Sequence, residues 1–235
     1  MTKKLCTLFP AYFPSLTWWQ KKAASDCVVF LDSPPYSHRS HINRTWVKTV
    51  DGKKMLTIPV LNPGSQSAPV KNIRVDPISN WYRTHKASLF SNYRNAPYFE
   101  YYYPHLEEFY STSWQRLFDV NLAGIKLVDK LLRWDIDYFF SSKCKVNGTR
   151  ENRVMQLMHQ FNCDTYMIEA GSAPYFNQLM LTSNGFQILE IHSFETRYEQ
   201  QFSGFISDLS VLDLIFNEGP AAVKLLKSVV DLKIN

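Results

Sequence analysis

The stretch from Asp32 to Arg44 carries a dense set of side chains that could do chemistry. It reads DSPPYSHRSHINR and directly follows the apolar run at 27–31. A carboxylate at the carboxyl end of a strand occupies a favoured place for a functional group. Arg39 and Arg44 can each bind a carboxylate or phosphate through two parallel hydrogen bonds, and Asn43 could orient such a ligand. The stretch predicts a site for an anion; a solvated loop with weak surface ion pairs is the alternative.

A second stretch, at 81–94, supplies a titratable group. A helix there places Trp81 and His85 on one face, because residues four apart are neighbours on a helix. His85 is the natural general acid or base, since imidazole titrates near neutrality. Lys86 and Tyr93 would bind substrate from the same helix. The alternative is that His85 is a structural histidine on a half-buried helix.

The segment PAYFPSLTWWQ at 10–20 follows the first predicted strand. In open α/β sheets, ligands gather beyond the carboxyl ends of the strands. Tyr12 and its aromatic neighbours could form a stacking wall for a ligand. Packing of these aromatic side chains in the core explains the segment equally well.

The segment SDLSVLDLIFNEG at 207–219 aligns polar side chains on one helical face. Ser210, Asp213 and Asn217 recur at helical spacing, which makes Ser210 and Asp213 candidates for substrate binding. The alternative is a capping box, in which Ser210 caps the helix and Asp213 answers from the third helical position.

Several familiar sites are missing from the sequence. It contains no G-x-G-x-x-G, no G-x-x-x-x-G-K-[ST] and no G-x-S-x-G, and only 8 glycines are present. The 4 cysteines are far apart and lie in or beside apolar segments, as core thiols do. His38 and His41 have a spacing that could suit a metal but that is common by chance. We expect neither a metal nor a cofactor.

Composition limits the classes of protein. Hydrophobic residues make up 45% and charged residues 20%, which is typical of a globular chain, and the net charge is +5. The absence of a long basic run argues against nucleic acid, although binding through the 32–44 stretch is a third hypothesis. We find no signal peptide and no membrane span, so a cytoplasmic location is expected. The sequence leaves the oligomeric state open.

The elements that must position these residues follow from periodicity and turn signals. Strands are expected at 5–9, 27–32, 136–142, 164–169 and 186–191, with a hairpin around Asp51-Gly52 and a short strand at 70–75. Helices are expected after Pro14, near 81–94, at 98–110, from Trp114 to Trp134 with Ser113 as its cap, at 152–161, near Phe176, and at 210–217 and 220–230. The linker at 61–69 is expected to be a flap.

These elements predict an α/β fold in which a parallel-dominated sheet is flanked by helices. The chain reads as a single α/β domain, 1–235, with a β-hairpin and helical insertion at approximately 45–135.

Taken together, the motifs resemble the WbqC-like protein family. The resemblance is carried by the proline and aromatic pattern of residues 10–19, by the 32–44 stretch, by a Trp, Lys, Tyr and APYF series, and by the 209–217 segment. Its residues are Pro10, Tyr12, Phe13, Pro14, Trp18, Trp19, Asp32, Tyr36, Arg39, Asn43, Arg44, Trp81, Lys86, Tyr93, APYF at 96–99, Gly171, Leu209, Ser210, Asp213 and Asn217. Phe9 and Ser33 depart from the pattern, which tends to have Gln and a second acid there.

The resemblance implies a role in bacterial surface-polysaccharide pathways. It suggests an acyl or aminoacyl (glycine-type) transferase acting on an amino sugar or sugar nucleotide, with a small anionic molecule as partner. Asp32 or His85 would remove a proton from the acceptor amine. A non-catalytic binding protein for an anionic sugar or nucleotide is the alternative. The predicted substrate-binding residues are Tyr12, Tyr36, Arg39, Asn43, Arg44, Trp81, Lys86, Tyr93, Ser210 and Asp213.

Overall fold

The centre of the fold is a sheet whose strands are nearly all parallel. The computed structural model describes residues 2–38, 40–61, 68–134, 137–228 and 233–234. The strands are β1 (Lys4–Leu8), β2 (Cys27–Phe30), β3 (Arg44–Thr49), β4 (Gly52–Thr57), β5 (Tyr138–Phe140), β6 (Thr165–Glu169), β7 (Gln187–Ile191) and β8 (Lys233–Ile234). The sheet has the order β5-β2-β1-β6-β7-β8, in which only β8 is antiparallel, and β3 and β4 form a separate antiparallel hairpin.

Helices flank this sheet. They are α1 (Leu16–Ala23), α2 (Trp81–Tyr93), α3 (Phe99–Ser111), α4 (Leu117–Leu131), α5 (Arg150–Gln160), α6 (Gln178–Thr182), α7 (Val211–Glu218) and α8 (Ala222–Ser228). Among the helices that the structure describes, none has the length and apolar character needed to cross a bilayer. The predicted α/β class, with its parallel-dominated sheet and its hairpin, is confirmed.

The apolar strand β2 shows why the sheet is covered on both faces. Successive side chains of a strand point to opposite faces. Val28 and Phe30 belong to the larger hydrophobic cluster, whereas Cys27 and Val29 belong to the smaller one. All four side chains are buried. A run without polar alternation therefore marked a strand between two layers, as expected.

The chain leaves the sheet after β2 and returns at β5, its neighbour. The hairpin β3–β4 and the helices α2, α3 and α4 lie between these strands in sequence. Gly52 has a φ of 114°, so it supplies the left-handed conformation that the tight turn after Asp51 requires. The hairpin is where the Asp-Gly signal predicted it.

Two predicted elements in the segment between β2 and β5 are wrong. The expected strand at 70–75 begins as the short 3-10 turn Val70–Asn72, and only isolated bridges follow. The long helix begins at Leu117 and is not capped by Ser113. The backbone of Leu117 donates to Ile73, and that of Val75 donates to Gln115. The residues before α4 are thus extended and paired, which delays the helix.

Other boundaries shift slightly. The strand expected at 136–142 ends at Phe140, because Ser141–Lys143 turns into a 3-10 helix, and residue 136 lies outside the described residues. The helix expected near Phe176 is a 3-10 turn, Ala170–Tyr175, followed by α6. Most of the predicted flap at 61–69 lies outside the described residues.

A buried ion pair joins α1 to α4. Lys22 Nζ lies 2.6 Å from Asp129 Oδ1, and both side chains are almost fully buried. The ammonium also lies 5.0 Å from the Trp19 ring and 4.9 Å from the Trp134 ring. Burial lowers the pKa of Lys22, and burial raises the pKa of Asp129 to about 6 against the attraction of Lys22. The pair satisfies two groups that neither helix could bury alone.

Asp129→Asn should destabilise the protein strongly, because it leaves the Lys22 ammonium buried without a counter-charge. Breaking one side of a buried pair costs about 3–5 kcal/mol. Denaturant unfolding measures the difference. Glu107→Gln is the matched control, because the Lys86–Glu107 pair is solvent-exposed and pairs of that kind contribute about 0–1 kcal/mol. Equal losses in the two variants would contradict this account.

Candidate functional site

The order of the parallel strands reverses at one point. From β1 the chain builds towards β2 and β5 on one side, and later towards β6 and β7 on the other. Ligands of open α/β sheets bind at such a switch point, often with a phosphate at the N-terminus of the first helix. Here the Thr17 backbone amide, in the first turn of α1, donates to Asp208 Oδ1 at 2.7 Å. The carboxylate of Asp208 therefore occupies the helix N-terminus at which a phosphate binds in many folds of this kind.

The aromatic side chains after β1 lie in the core. Tyr12, Phe13, Trp18 and Trp19 are all buried. They form no wall facing solvent, so packing accounts for most of this segment. Tyr12 differs from the others because its hydroxyl joins a polar chain.

This chain of hydrogen bonds connects the loop after β1 to helices α2 and α3. The hydroxyl of Tyr12 lies 2.8 Å from His85 Nδ1 and is in close contact with the hydroxyl of Tyr110. The Trp81 ring covers this group, with its centroid 5.4 Å from the imidazole and 5.9 Å from the Tyr110 ring. All four side chains are buried. The structure thus brings together three predicted site residues, Tyr12, Trp81 and His85.

The hydrogen-bond partners of His85 indicate which of its ring nitrogens donates and which accepts. Burial lowers the pKa of His85 to about 4, and a hydrogen bond to the Thr57 backbone opposes this effect. A backbone group that raises a histidine pKa is an accepting carbonyl, so one ring nitrogen carries the proton towards Thr57. Nδ1 then accepts from the Tyr12 hydroxyl. Either hydroxyl of the Tyr12–Tyr110 pair can be the donor; where Tyr12 gives its proton to Nδ1, Tyr110 is the donor to Tyr12.

A groove between α2 and α3 lies beside the Tyr110 end of this chain. Its cavity volume is about 530 Å³. Its lining combines aromatic rings with two cations, in Tyr82, Arg83, Lys86, Ala87, Phe90, Ser91, Tyr103, Tyr110 and Ser111. Lys86 is the predicted substrate-binding residue that lines it. We call this feature the α2–α3 groove.

Asp32 is held on a different side, by the turn after β5. Its carboxylate accepts from the Ser141 hydroxyl at 2.9 Å and from the Ser142 backbone amide at 2.8 Å, and the Ser142 hydroxyl also donates to it. Burial raises the pKa of Asp32, but the hydrogen bonds from Ser142 and Ser141 outweigh it and lower the pKa overall. Asp32 is therefore a well-satisfied anion and a weak base.

Asn43 and Arg44 mainly support the backbone. The Asn43 amide donates to the Ile58 carbonyl at 2.9 Å, which joins the start of β3 to the end of β4. Arg44 donates to Asn43 Oδ1 at 3.3 Å and to the His38 carbonyl at 2.9 Å. Its guanidinium orders the loop that precedes it and keeps further donors for a ligand.

Tyr36 is buried beside this arginine. No hydrogen-bond partner of its hydroxyl is found among the described residues. Burial raises the pKa of Tyr36, and the nearby charge of Arg44 opposes that shift. Arg39 lies outside the described residues.

A separate cluster of polar side chains joins the C-terminal third of the protein to α2 and β3. Tyr93 donates to Asp213 Oδ1 at 2.8 Å, and Tyr198 donates to Asp213 Oδ2 at 2.6 Å. The Lys48 backbone amide donates to the Tyr93 hydroxyl, while its ammonium donates to Gln200 Oε1 at 3.2 Å. Burial raises the pKa of Asp213. These contacts fasten β3, α2 and α7 to the loop before α7.

The capping prediction for the 207–219 segment is half right. Ser210 caps α7 by accepting from the Leu212 amide at 3.3 Å, and its hydroxyl donates to the Phe13 carbonyl. Asp213 does not complete a capping box, because its carboxylate is used by the two tyrosines.

The predicted residues that the structure describes therefore do not share one concavity. Tyr12, Trp81, His85 and Lys86 lie at or behind the α2–α3 groove, whereas Asp32 and Asp213 belong to other hydrogen-bond clusters and do not line it. In the part of the chain that the structure describes, no group of three His, Cys, Asp or Glu side chains is arranged to hold a metal ion.

Sequence reasoning missed Tyr110, Arg83 and Tyr103. Arg83 is three residues before Lys86, so helical spacing already placed both cations on one face. The helix at 98–110 was predicted, but nothing in the sequence showed that it packs against α2.

Lowering the pH from about 6.5 to about 4 should destabilise the fold through His85. Its pKa is depressed in the folded state, so the unfolded chain binds more protons across this window and is favoured as the pH falls. Denaturant unfolding at several pH values measures the slope. His85→Gln should flatten it, and Tyr12→Phe, which keeps a buried imidazole, should retain it. An unchanged slope in His85→Gln would contradict the assignment.

The chain is 24% identical over 230 residues to the uncharacterized protein Rv1507c of Mycobacterium tuberculosis, covering 94% of this chain and 96% of the relative. No solved structure matches the chain. The WbqC-like protein family matches residues 10–225. This match spans most of the sequence and includes both strands and helices of the site described above, and the chain belongs to the WbqC-like protein family.

Proposed function

We propose that the protein is an acyl or aminoacyl transferase that acts on an amino sugar or sugar nucleotide in surface-polysaccharide biosynthesis. One observation carries the proposal: a chain of hydrogen bonds that joins Tyr110, Tyr12 and His85 begins beside a cationic groove. Family membership supports the link to polysaccharide biosynthesis. The mycobacterial relative is an uncharacterized protein and indicates no particular activity.

The groove suits a small anionic substrate. Arg83 and Lys86 are its two cations, and charge-assisted hydrogen bonds from such groups are stronger than neutral ones. Tyr82, Phe90 and Tyr103 offer rings for an apolar or planar part of the substrate. This supports the predicted anionic partner and a binding role for Lys86.

The reaction is a direct transfer within a ternary complex. The acceptor amine nitrogen attacks the acyl carbonyl carbon, a C–N bond forms, and the bond from that carbon to the leaving group breaks. One proton leaves the nitrogen, and the leaving group departs with a proton or as an anion. Alignment of the two substrates supplies much of the acceleration, so no covalent enzyme intermediate is needed.

The hydrogen-bond chain would receive that proton. The free lone pair of Tyr110 accepts it while Tyr110 donates to Tyr12 and Tyr12 donates to His85. A pKa of about 4 makes His85 a weak base at neutral pH, so it would hold the proton only briefly. In this scheme Tyr110 touches the substrate, Tyr12 and His85 carry the proton away from it, and Trp81 holds the imidazole and the Tyr110 ring in place.

The other predicted residues keep roles outside the groove in this proposal. The Arg44 guanidinium would bind an anionic part of the substrate, and the buried Tyr36 would support it from the core. Arg39, which lies outside the described residues, keeps its predicted role in substrate binding. Asp32, Asn43, Tyr93, Ser210 and Asp213 would fix the backbone around these contacts, and a role for Asp32 as base is retained as a test.

Non-catalytic binding of an anionic sugar or nucleotide is the second candidate. It is favoured by one observation, the lowered pKa of both candidate bases, Asp32 and His85. A binding protein needs the groove and its cations but no proton acceptor.

Turnover separates the two candidates. Nucleotide-linked amino sugars are mixed with acetyl or glycyl thioesters, and mass spectrometry detects addition of the acyl group. Tyr110→Phe should lower turnover by about 100-fold, since acid–base groups contribute 10²–10⁴-fold, while substrate affinity changes little. Tyr101→Phe, at an exposed ring of the same helix, is the control.

The same assay tests the bases. His85→Gln should resemble Tyr110→Phe, and Asp32→Asn should reduce turnover only if Asp32 accepts the proton. Native mass spectrometry of the protein from its host would identify a retained ligand. Ligand binding without any acyl transfer, across the whole panel, would favour the binding protein.

A further inference from the structure

The two sides of the α2–α3 groove carry matched stripes of side chains. Tyr82, Lys86 and Phe90 are four residues apart along α2 and therefore share a face. Tyr103 and Glu107 are four apart on α3. Each helix thus presents an aromatic ring beside a charge, and the two charges, on Lys86 and Glu107, form an ion pair next to the groove.

We propose that this groove recognises a nucleoside phosphate, with the base on the aromatic end and the phosphate at Lys86 and Arg83. The inference rests on the proposed function and deepens it, because it assigns the class of activated substrate. The cavity of about 530 Å³ lies within the range of about 300–1,000 Å³ that small-molecule sites occupy.

The aromatic end is a fixed platform for a planar group. The Tyr103 ring stacks on Phe99 with centroids 4.5 Å apart, and the Phe90 ring lies 5.8 Å from Tyr103. The Tyr103 hydroxyl lies 3.4 Å from the Lys86 carbonyl, which restrains the ring against α2. Phe90 is 46% exposed. A base covering Phe90 would bury that apolar surface, whereas a sugar phosphate without a base would leave it in water.

At the cationic end, the ammonium of Lys86 can exchange the carboxylate of Glu107 for a phosphate. Lys86 Nζ lies 3.1 Å from Glu107 Oε1, and their side chains are 35% and 50% exposed. A surface pair of this kind is weak, so a phosphate can replace the carboxylate at little expense. Arg83 forms no ion pair with any described residue. A phosphate would therefore gain both cations while Glu107 returns to solvent.

This arrangement predicts that removing the charge of Lys86 and removing the charge of Glu107 change the affinity for a nucleotide in opposite directions. Lys86→Gln removes a phosphate contact and should weaken binding by about tenfold or more. Glu107→Gln removes the competitor for Lys86 and one repulsive charge, and it should tighten binding by about threefold. Non-specific attraction to a basic protein would not single out this pair.

The test is calorimetric titration of the full chain with uridine and adenosine monophosphates, ribose 5-phosphate, and orthophosphate. We expect at least one nucleotide to bind more tightly than both base-free phosphates. Lys53→Gln is the control for lost charge, because Lys53 lies over Trp46 on the hairpin. It should leave affinity within about twofold of the parent protein.

The results would separate this inference from the proposed function. No nucleotide binding at millimolar concentration, or equal losses in Lys86→Gln and Lys53→Gln, would overturn the inference even if acyl transfer were observed. Equal affinity for ribose 5-phosphate and the nucleotides would overturn the role of the aromatic end. Nucleotide binding with the opposite effects of Lys86→Gln and Glu107→Gln would support it, even if no acyl acceptor reacted and the transferase proposal failed.

Discussion

The buried loop after β1 has to find a partner for each of its backbone polar groups. Residues 9–15 run through the core, where an unpaired amide or carbonyl is costly. Asn121, fully buried on α4, donates both to a carbonyl of this loop and to Ile42 before the hairpin. The Phe13 carbonyl accepts from Ser210, in the cap of α7. Three distant parts of the chain are thereby fixed around one loop, and the position of Tyr12 follows from that arrangement.

This requirement explains why chemically useful side chains proved to be structural partners. Ser210 and Asn43 both hold backbone carbonyls, and Asp213 holds two tyrosine hydroxyls. The sequence identifies a residue that can hydrogen-bond, but not the partner, which lies as many as 197 residues away. His85 is both a structural partner and a chemically useful side chain. Its contacts position the imidazole and also connect it to the groove.

The fold was predictable where local patterns decide it. The apolar run of β2 and the Asp51-Gly52 turn carry their own signals, because burial on both faces and a left-handed glycine are local demands. The start of α4 was not predictable in this way. Bridging to residues 73–75 keeps residues 115–116 extended, and helix propensity gives way to that tertiary contact. The groove escaped prediction for the same reason, since it exists only where α2 meets α3.

Burial also decides which charges remain available for a ligand. Lys22–Asp129 and Lys86–Glu107 are pairs of the same chemical kind, and a net charge of +5 does not distinguish them. The first pair is enclosed by aromatic rings, so neither ion can change partner without being buried alone. The second faces solvent, where water and salt weaken the attraction. The cation able to serve a phosphate is therefore the one whose present partner contributes little to stability.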